Sequence, residues 1–124
     1  MEQAGVRVRV EVRPEGAGGA GTGTGVAVVS VGGELDYDGV GQLEEAIRSV
    51  RDEGVHRLVF DLSGLTFMDS SGVNSFLRAQ RDAQAGDGWV RLADPQSSVL
   101  RVIELVGLAQ AIPLHTTVGE ALEA

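Results

Sequence analysis

Asp69-Ser70-Ser71-Gly72 sets a carboxylate, two hydroxyls and a glycine side by side, and three chemistries fit that run. The first is a helix cap, in which Asp or Ser accepts hydrogen bonds from the first free N–H groups of a helix, typically worth about 1 kcal/mol. The second is a serine nucleophile served by a histidine base. The third is a phosphate acceptor beside a helix N-terminus, where unpaired N–H groups favour an anion. A cap needs one polar residue, and this corner supplies three. Gly72 would let the backbone of another molecule approach, since it carries no side chain.

The nucleophile reading has little support around it. The Gly-x-Ser-x-Gly spacing of a nucleophile elbow is absent, and the base must be His56 or His115. His56 precedes the third expected strand and falls on the sheet edge opposite the corner. His115 ends a strand on the corner's own edge, so that reading stays open through His115 alone. A metal site is not expected. Asp36, Asp38 and Asp69 match no calcium-loop spacing, and no two histidines share a helical face.

The elements that must position the corner follow from periodicity. Val6, Val8, Val10 and Val12 alternate with Arg7, Arg9, Glu11 and Arg13, which predicts a strand with one wet face, stopped by Pro14. Residues 15–25 are mostly Gly, Ala and Thr, expected to be a flexible hairpin connection; no Gly-Lys-Ser/Thr ending marks a phosphate loop. A second strand covers 26–31. Val40, Leu43, Ile47 and Val50 then share one helix face, with Asp38 as N-cap and Gly54 as the stop. Leu58-Val59-Phe60 lacks alternation, as in a strand covered on both faces. Phe67 and Met68 should anchor the corner in the core, ahead of a helix over 71–85. A strand at 89–93 follows. Asp94-Pro95 reads as an N-cap and first helical residue, opening a helix that buries Val99, Val102, Ile103 and Val106. A short strand at 112–115 and a helix capped by Thr117 and Glu120 close the chain. The order ββαβαβαβα predicts an α/β domain over 1–124: a mixed sheet with an N-terminal hairpin, then parallel βα units, and about four helices.

Composition narrows the function. At 124 residues the chain makes one domain. It has no cysteine, hence no disulfide framework or thiolate metal site, and no lysine, hence no Schiff-base chemistry. A net charge of -8 argues against nucleic-acid or anionic-membrane binding. No apolar run approaches a membrane span, and the first residues lack a signal-peptide layout, so a cytoplasmic protein is expected.

Val31-Gly32-Gly33-Glu34-Leu35-Asp36, then Leu58-Val59-Phe60-Asp61-Leu62-Ser63, then Phe67-Met68-Asp69-Ser70-Ser71-Gly72-Val73, resembles the anti-sigma factor antagonists of the STAS domain family. Leu105-Val106-Gly107-Leu108 followed by Ile112 fits the close of that family, so the likeness spans roughly 6–122. The resemblance implies a bacterial, non-enzymatic partner switch without a cofactor. The unphosphorylated protein would bind an anti-sigma factor that is also a serine kinase, freeing the sigma factor. Phosphorylation on Ser70, the serine directly after the Asp, would end binding, and a metal-dependent serine phosphatase would restore it. Asp36 and Asp69 would shape the acidic site, with Ser71, Gly72, Val73 and Asn74 completing the partner surface. Asn74 departs from the small glycine frequent there, and the loop at 15–25 is longer than usual. The alternatives are a STAS-fold module that binds a nucleotide or small ligand at the corner, and a hydrolase using Ser70.

Overall fold

A computed structural model describes residues 5–14 and 25–124. The elements run β1 (Val6–Pro14), β2 (Gly25–Leu35), α1 (Val40–Asp52), β3 (Arg57–Asp61), β4 (Leu65–Met68) and α2 (Ser70–Ala85). Then come β5 (Trp89–Ala93), α3 (Ser97–Val106), α4 (Leu108–Ala111), β6 (Leu114–His115) and α5 (Val118–Glu123). The connection expected at 15–25 lies outside the described residues except Gly25, which opens β2. The sheet has the order β1-β2-β3-β5-β6, with β4 also on β2. β1 and β2 are antiparallel and the other pairs parallel, as a hairpin followed by helical crossovers requires. The mixed α/β fold is therefore the expected one, with one strand and one single-turn helix more than the sequence suggests.

Both faces of the centre are covered. Leu58 and Phe60 of β3 enter the main core with Leu43, Ile47, Phe76, Val99 and Ile103 from the helices. Val59, between them, joins Ala93 and Ala121 under α5 on the other face. That explains why β3 shows no alternation.

The added strand is the consequential difference. The lower half of β2 pairs with β3 from Val26 to Ser30, and its upper half pairs with β4 from Gly33 to Leu35. The chain leaves β3 through a turn in which the Asp61 carboxylate accepts the Ser63 N–H at 3.0 Å. Gly33 adopts φ +83°, and a Cβ there would lie 2.0 Å from the Gly5 carbonyl oxygen. Its N–H donates to Gly64 at 2.9 Å, which ties the two halves together. On β4 the register steps from Leu65 to Phe67 while β2 moves one residue, so Thr66 is the extra residue of a bulge.

Several local expectations shift. Asp38 does not cap α1. The N-cap is Gly39, with no side-chain cap bond, and Asp36 closes the turn before it, its carboxylate accepting the Gly39 N–H at 3.0 Å and its carbonyl the Val40 N–H at 3.0 Å. Asp94 is not an N-cap and Pro95 is not helical. Asp94 is held at φ 61° with its N–H on the His115 carbonyl, so the chain turns first and α3 starts at Ser97 with Gln96 as N-cap. Val99 and Ile103 are buried, but Val102 only partly and Val106 is exposed, because α3 packs on the four-residue β4, too short to cover its last turn. The last strand shrinks to Leu114–His115, after a buried Ile112 and Pro113, which has no N–H to pair.

Thr117 caps α5 by accepting the Glu120 N–H at 3.0 Å, while the Glu120 carboxylate accepts from the Thr116 N–H and hydroxyl. The side-chain bond from Thr116, then the backbone bond, hold the Glu120 carboxyl below its ordinary 4.5. A depressed folded value stabilises the native state above the unfolded value and is lost as pH falls through the folded one. Thermal melts should show wild type above Glu120→Gln at neutral pH, the gap closing below 4.5. Gly33→Ala should cost about 1–3 kcal/mol in chemical denaturation, since it forces a side chain into a left-handed backbone against Gly5.

Candidate functional site

β2 and β4 end together. Leu35 is paired with Met68, both are buried, and the next N–H, that of Asp69, reaches back to the Leu35 carbonyl at 3.3 Å. Asp36 and Asp69 therefore leave the sheet at one edge, on strands about 4.8 Å apart. This is the juxtaposition expected of the acidic pair. The Thr66 bulge moves the inward position from Phe67 to Met68. Phe67 was expected in the core with Met68, yet it is 49% exposed. Thr66 fixes the bulge by donating its hydroxyl to the Gly33 carbonyl at 3.0 Å.

At the corner the tasks divide. Asp69 is the N-cap of α2, and its Oδ1 accepts the Ser71 N–H at 2.9 Å and the Gly72 N–H at 3.4 Å. Ser71 thus supplies a backbone donor to the cap and does not do the capping itself. Ser70, the first helical residue, is exposed, and no hydrogen bond engages its hydroxyl among the described residues. Gly72 faces inward: a Cβ would meet Met68 Cγ at 2.7 Å and Leu35 Cγ at 3.0 Å. Its smallness brings the helix down onto the strand pair and offers no surface to another backbone. Val73 is buried as well, whereas Asn74, one turn beyond Ser70, is exposed. The buried Ser75 donates its hydroxyl to the Gly72 carbonyl at 2.7 Å, steadying the first turn.

Neither Asp36 nor Asp69 enters an ion pair among the described residues; the pairs there are Arg13–Glu11, Arg51–Asp82 and Arg78–Glu44. An open trough of about 710 Å³ lies on the β1 side of the Asp36 turn, lined by Glu34, Asp36, Asp38, Gly39 and Gln42 with Gly5, Val6 and Arg7 of the chain entering β1. A second hollow of about 330 Å³, which the sequence does not announce, lies on the sheet between Arg7, Arg9, Ser30, Asp61 and Ser63. Ser70 lines neither of them.

No base serves Ser70. β4, which Ser70 follows, shares a flank of β2 with β3, and β5 lies between that flank and β6, so His115 stands two strand spacings away, about 10 Å and beyond hydrogen-bond reach. His56 packs against Gly86 and Gly88 ahead of β3, on the opposite edge. The hydrolase reading falls on that topology. Asp36, Asp38 and Asp69 form no group able to hold a metal among the described residues. No helix among them is long and apolar enough to cross a membrane.

A family model for the STAS domain matches residues 21–121, and the chain belongs to that family. An anti-sigma-B factor antagonist of Staphylococcus epidermidis is 30% identical over 95 residues, covering 77% of this chain and 86% of the relative. The structure of an anti-sigma factor antagonist from Mycobacterium paratuberculosis matches with a TM-score of 0.75 at 29% identity, over 94% of this chain and 92% of that one. SpoIIAA, an anti-sigma factor antagonist, matches in its unphosphorylated form with a TM-score of 0.70 at 26% identity, over 93% and 94% of the two chains. The phosphorylated form of the Bacillus protein matches at 0.63 and 27% identity, over 93% and 97%. The expected family is thus the family found.

Asp69→Ala should remove the α2 cap at a cost of about 1 kcal/mol, while Asp69→Asn should retain most of it. Denaturant midpoints of the two variants check this.

Proposed function

We propose that this chain is an anti-sigma factor antagonist, a binding protein whose affinity is set by phosphorylation of Ser70. The unphosphorylated form binds an anti-sigma factor that is also a serine kinase, and so frees the sigma factor. The Ser70 oxygen attacks the γ-phosphorus of ATP held by the kinase, the bond to the β–γ bridging oxygen breaks and ADP leaves. The hydroxyl proton passes to a base of the kinase or to solvent, and the phosphoprotein dissociates. A serine phosphatase resets it. The observation that carries this reading is the division of labour at the corner. Asp69 caps the helix, which leaves the Ser70 hydroxyl exposed and without a hydrogen-bond partner among the described residues. The relatives' names and the phosphorylated form of one of them support the same reading.

The corner also explains why a phosphate would repel. The Ser71 and Gly72 N–H groups, which would otherwise welcome an anion, already bond to the Asp69 carboxylate. A phosphate adds about -1.5 to -2 charge beside Asp69. It must compete for those donors or stand out into the partner's space. Asp36 and Asn74 extend the contact surface on either side, while Gly72 and Val73 serve it from below by setting the height of the helix.

Incubation with ATP and a serine-kinase-type anti-sigma factor should place one phosphate on Ser70, mapped by mass spectrometry, and none on Ser70→Ala. Modification at another residue in the mutant, or none in wild type, would sink the switch. Ser70→Asp should bind the anti-sigma factor more weakly and melt near wild type, since the side chain is exposed.

A further inference from the structure

Two large aromatic side chains lie exposed at the end of the β2–β4 pair from which the acceptor corner departs. Tyr37 is 79% exposed and Phe67 49% exposed. Their positions follow from the strand register. Tyr37 and Ser70 each stand two residues beyond the paired Leu35 and Met68, so both follow from the same edge of the sheet. Phe67 pairs with Glu34 and is turned outward by the Thr66 bulge. The turn that holds Tyr37 is fixed, because the Asp36 carboxylate and carbonyl both bond the chain that follows it. These rings are therefore presented on ordered backbone, and neither is needed to fill the core.

The carboxylates of Glu34, Asp36, Asp38 and Asp69 leave the same end of the β2–β4 pair, four acids against the single Arg7 that shares a hollow with the first three, and none of the four is in an ion pair among the described residues. Aromatic anchors within a charged rim make the usual anatomy of a binding hot spot: the rings supply desolvated area, and the rim steers and orients. Charge complementarity selects the occupant, a surface with an apolar recess and basic side chains around it.

We infer that Tyr37 and Phe67 are the anchors through which this chain docks on its anti-sigma factor, seated in an apolar recess with a basic rim. The inference rests on the proposed function and deepens it by naming what supplies the affinity that the Ser70 phosphate opposes. The aromatic pair holds the partner; the phosphate, added at the same sheet edge, lifts it away.

Binding of the unphosphorylated protein to a serine-kinase-type anti-sigma factor tests this by calorimetry, on wild type, Tyr37→Ala, Tyr37→Phe, Phe67→Ala and Phe67→Leu. Leu105→Ala is the control, because Leu105 is 80% exposed but stands at the far end of α3 from the Ser98–Thr66 contact. Tyr37→Ala and Phe67→Ala should each weaken binding about tenfold or more. Tyr37→Phe and Phe67→Leu should stay within about threefold, and Leu105→Ala within about twofold. Melting temperatures verify that each variant is folded. If wild type binds and phosphorylation of Ser70 releases it, yet both alanine variants bind as wild type does, the anchors are wrong and the switch stands. Equal weakening by Leu105→Ala also overturns the anchors. If wild type binds, the alanine variants bind weakly and phosphorylation has no effect, the anchors stand and the switch falls. A wild type that binds no such factor overturns both.

Discussion

The pairing of Leu35 with Met68 is the contact on which the functional end of the molecule depends. It brings two acidic residues from distant parts of the chain to one edge and sets the point from which α2 departs. It also needs three unusual features at once. Gly33 must take a left-handed backbone, Thr66 must be bulged out, and Gly72 must lack a side chain so that the helix can rest on the pair. Each costs local stability relative to an ideal strand or helix. The burial of Leu35, Met68 and Phe76 offsets that cost, and the sequence retains the features together.

The cap is the second economy. A serine at the start of a helix ordinarily competes to bond the free N–H groups, which would tie up its hydroxyl. Here the preceding aspartate takes both donors through a single oxygen. The helix is closed and the serine remains available. Two adjacent hydroxyls thus acquire different environments from one carboxylate: Ser70 stands exposed at the first helical position, and Ser71 lends its backbone to the cap.

Much of this was legible in the sequence. The valine alternation of β1, the i, i+3, i+7, i+10 stripe of α1 and its glycine stop at Gly54 read directly, because each depends on local signals. β4 did not. Four residues give too short a run to show a period, and the bulge at Thr66 breaks the alternation that would have marked it. The same bulge reversed the expected burial of Phe67. That Asp36 holds the turn before α1, while the N-cap falls on Gly39 and not on Asp38, depended on the path of that turn, and two aspartates two residues apart are equivalent until that path is known. Gly72 was expected to admit the backbone of another molecule, but the neighbour it admits is its own core, a long-range fact that no window of sequence contains. The choice between Ser70 and Ser71 needed the family likeness, since spacing alone treats them alike.

A charge added at such a corner acts on binding far more than on folding, and the reason is dielectric. In the isolated protein a phosphate on Ser70 and the Asp69 carboxylate would both face water, where two unit charges about 4 Å apart repel by about 1 kcal/mol. Solvent and salt screen that further. When a partner covers the corner, the effective dielectric falls, and at a value near 20 the same pair repels by about 4 kcal/mol. Desolvating the phosphate adds to the penalty unless the partner supplies a cation in place. The difference between the two environments falls on the complex alone. A rigid, capped and exposed corner is therefore sufficient for a switch, and the fold beneath it has no need to move.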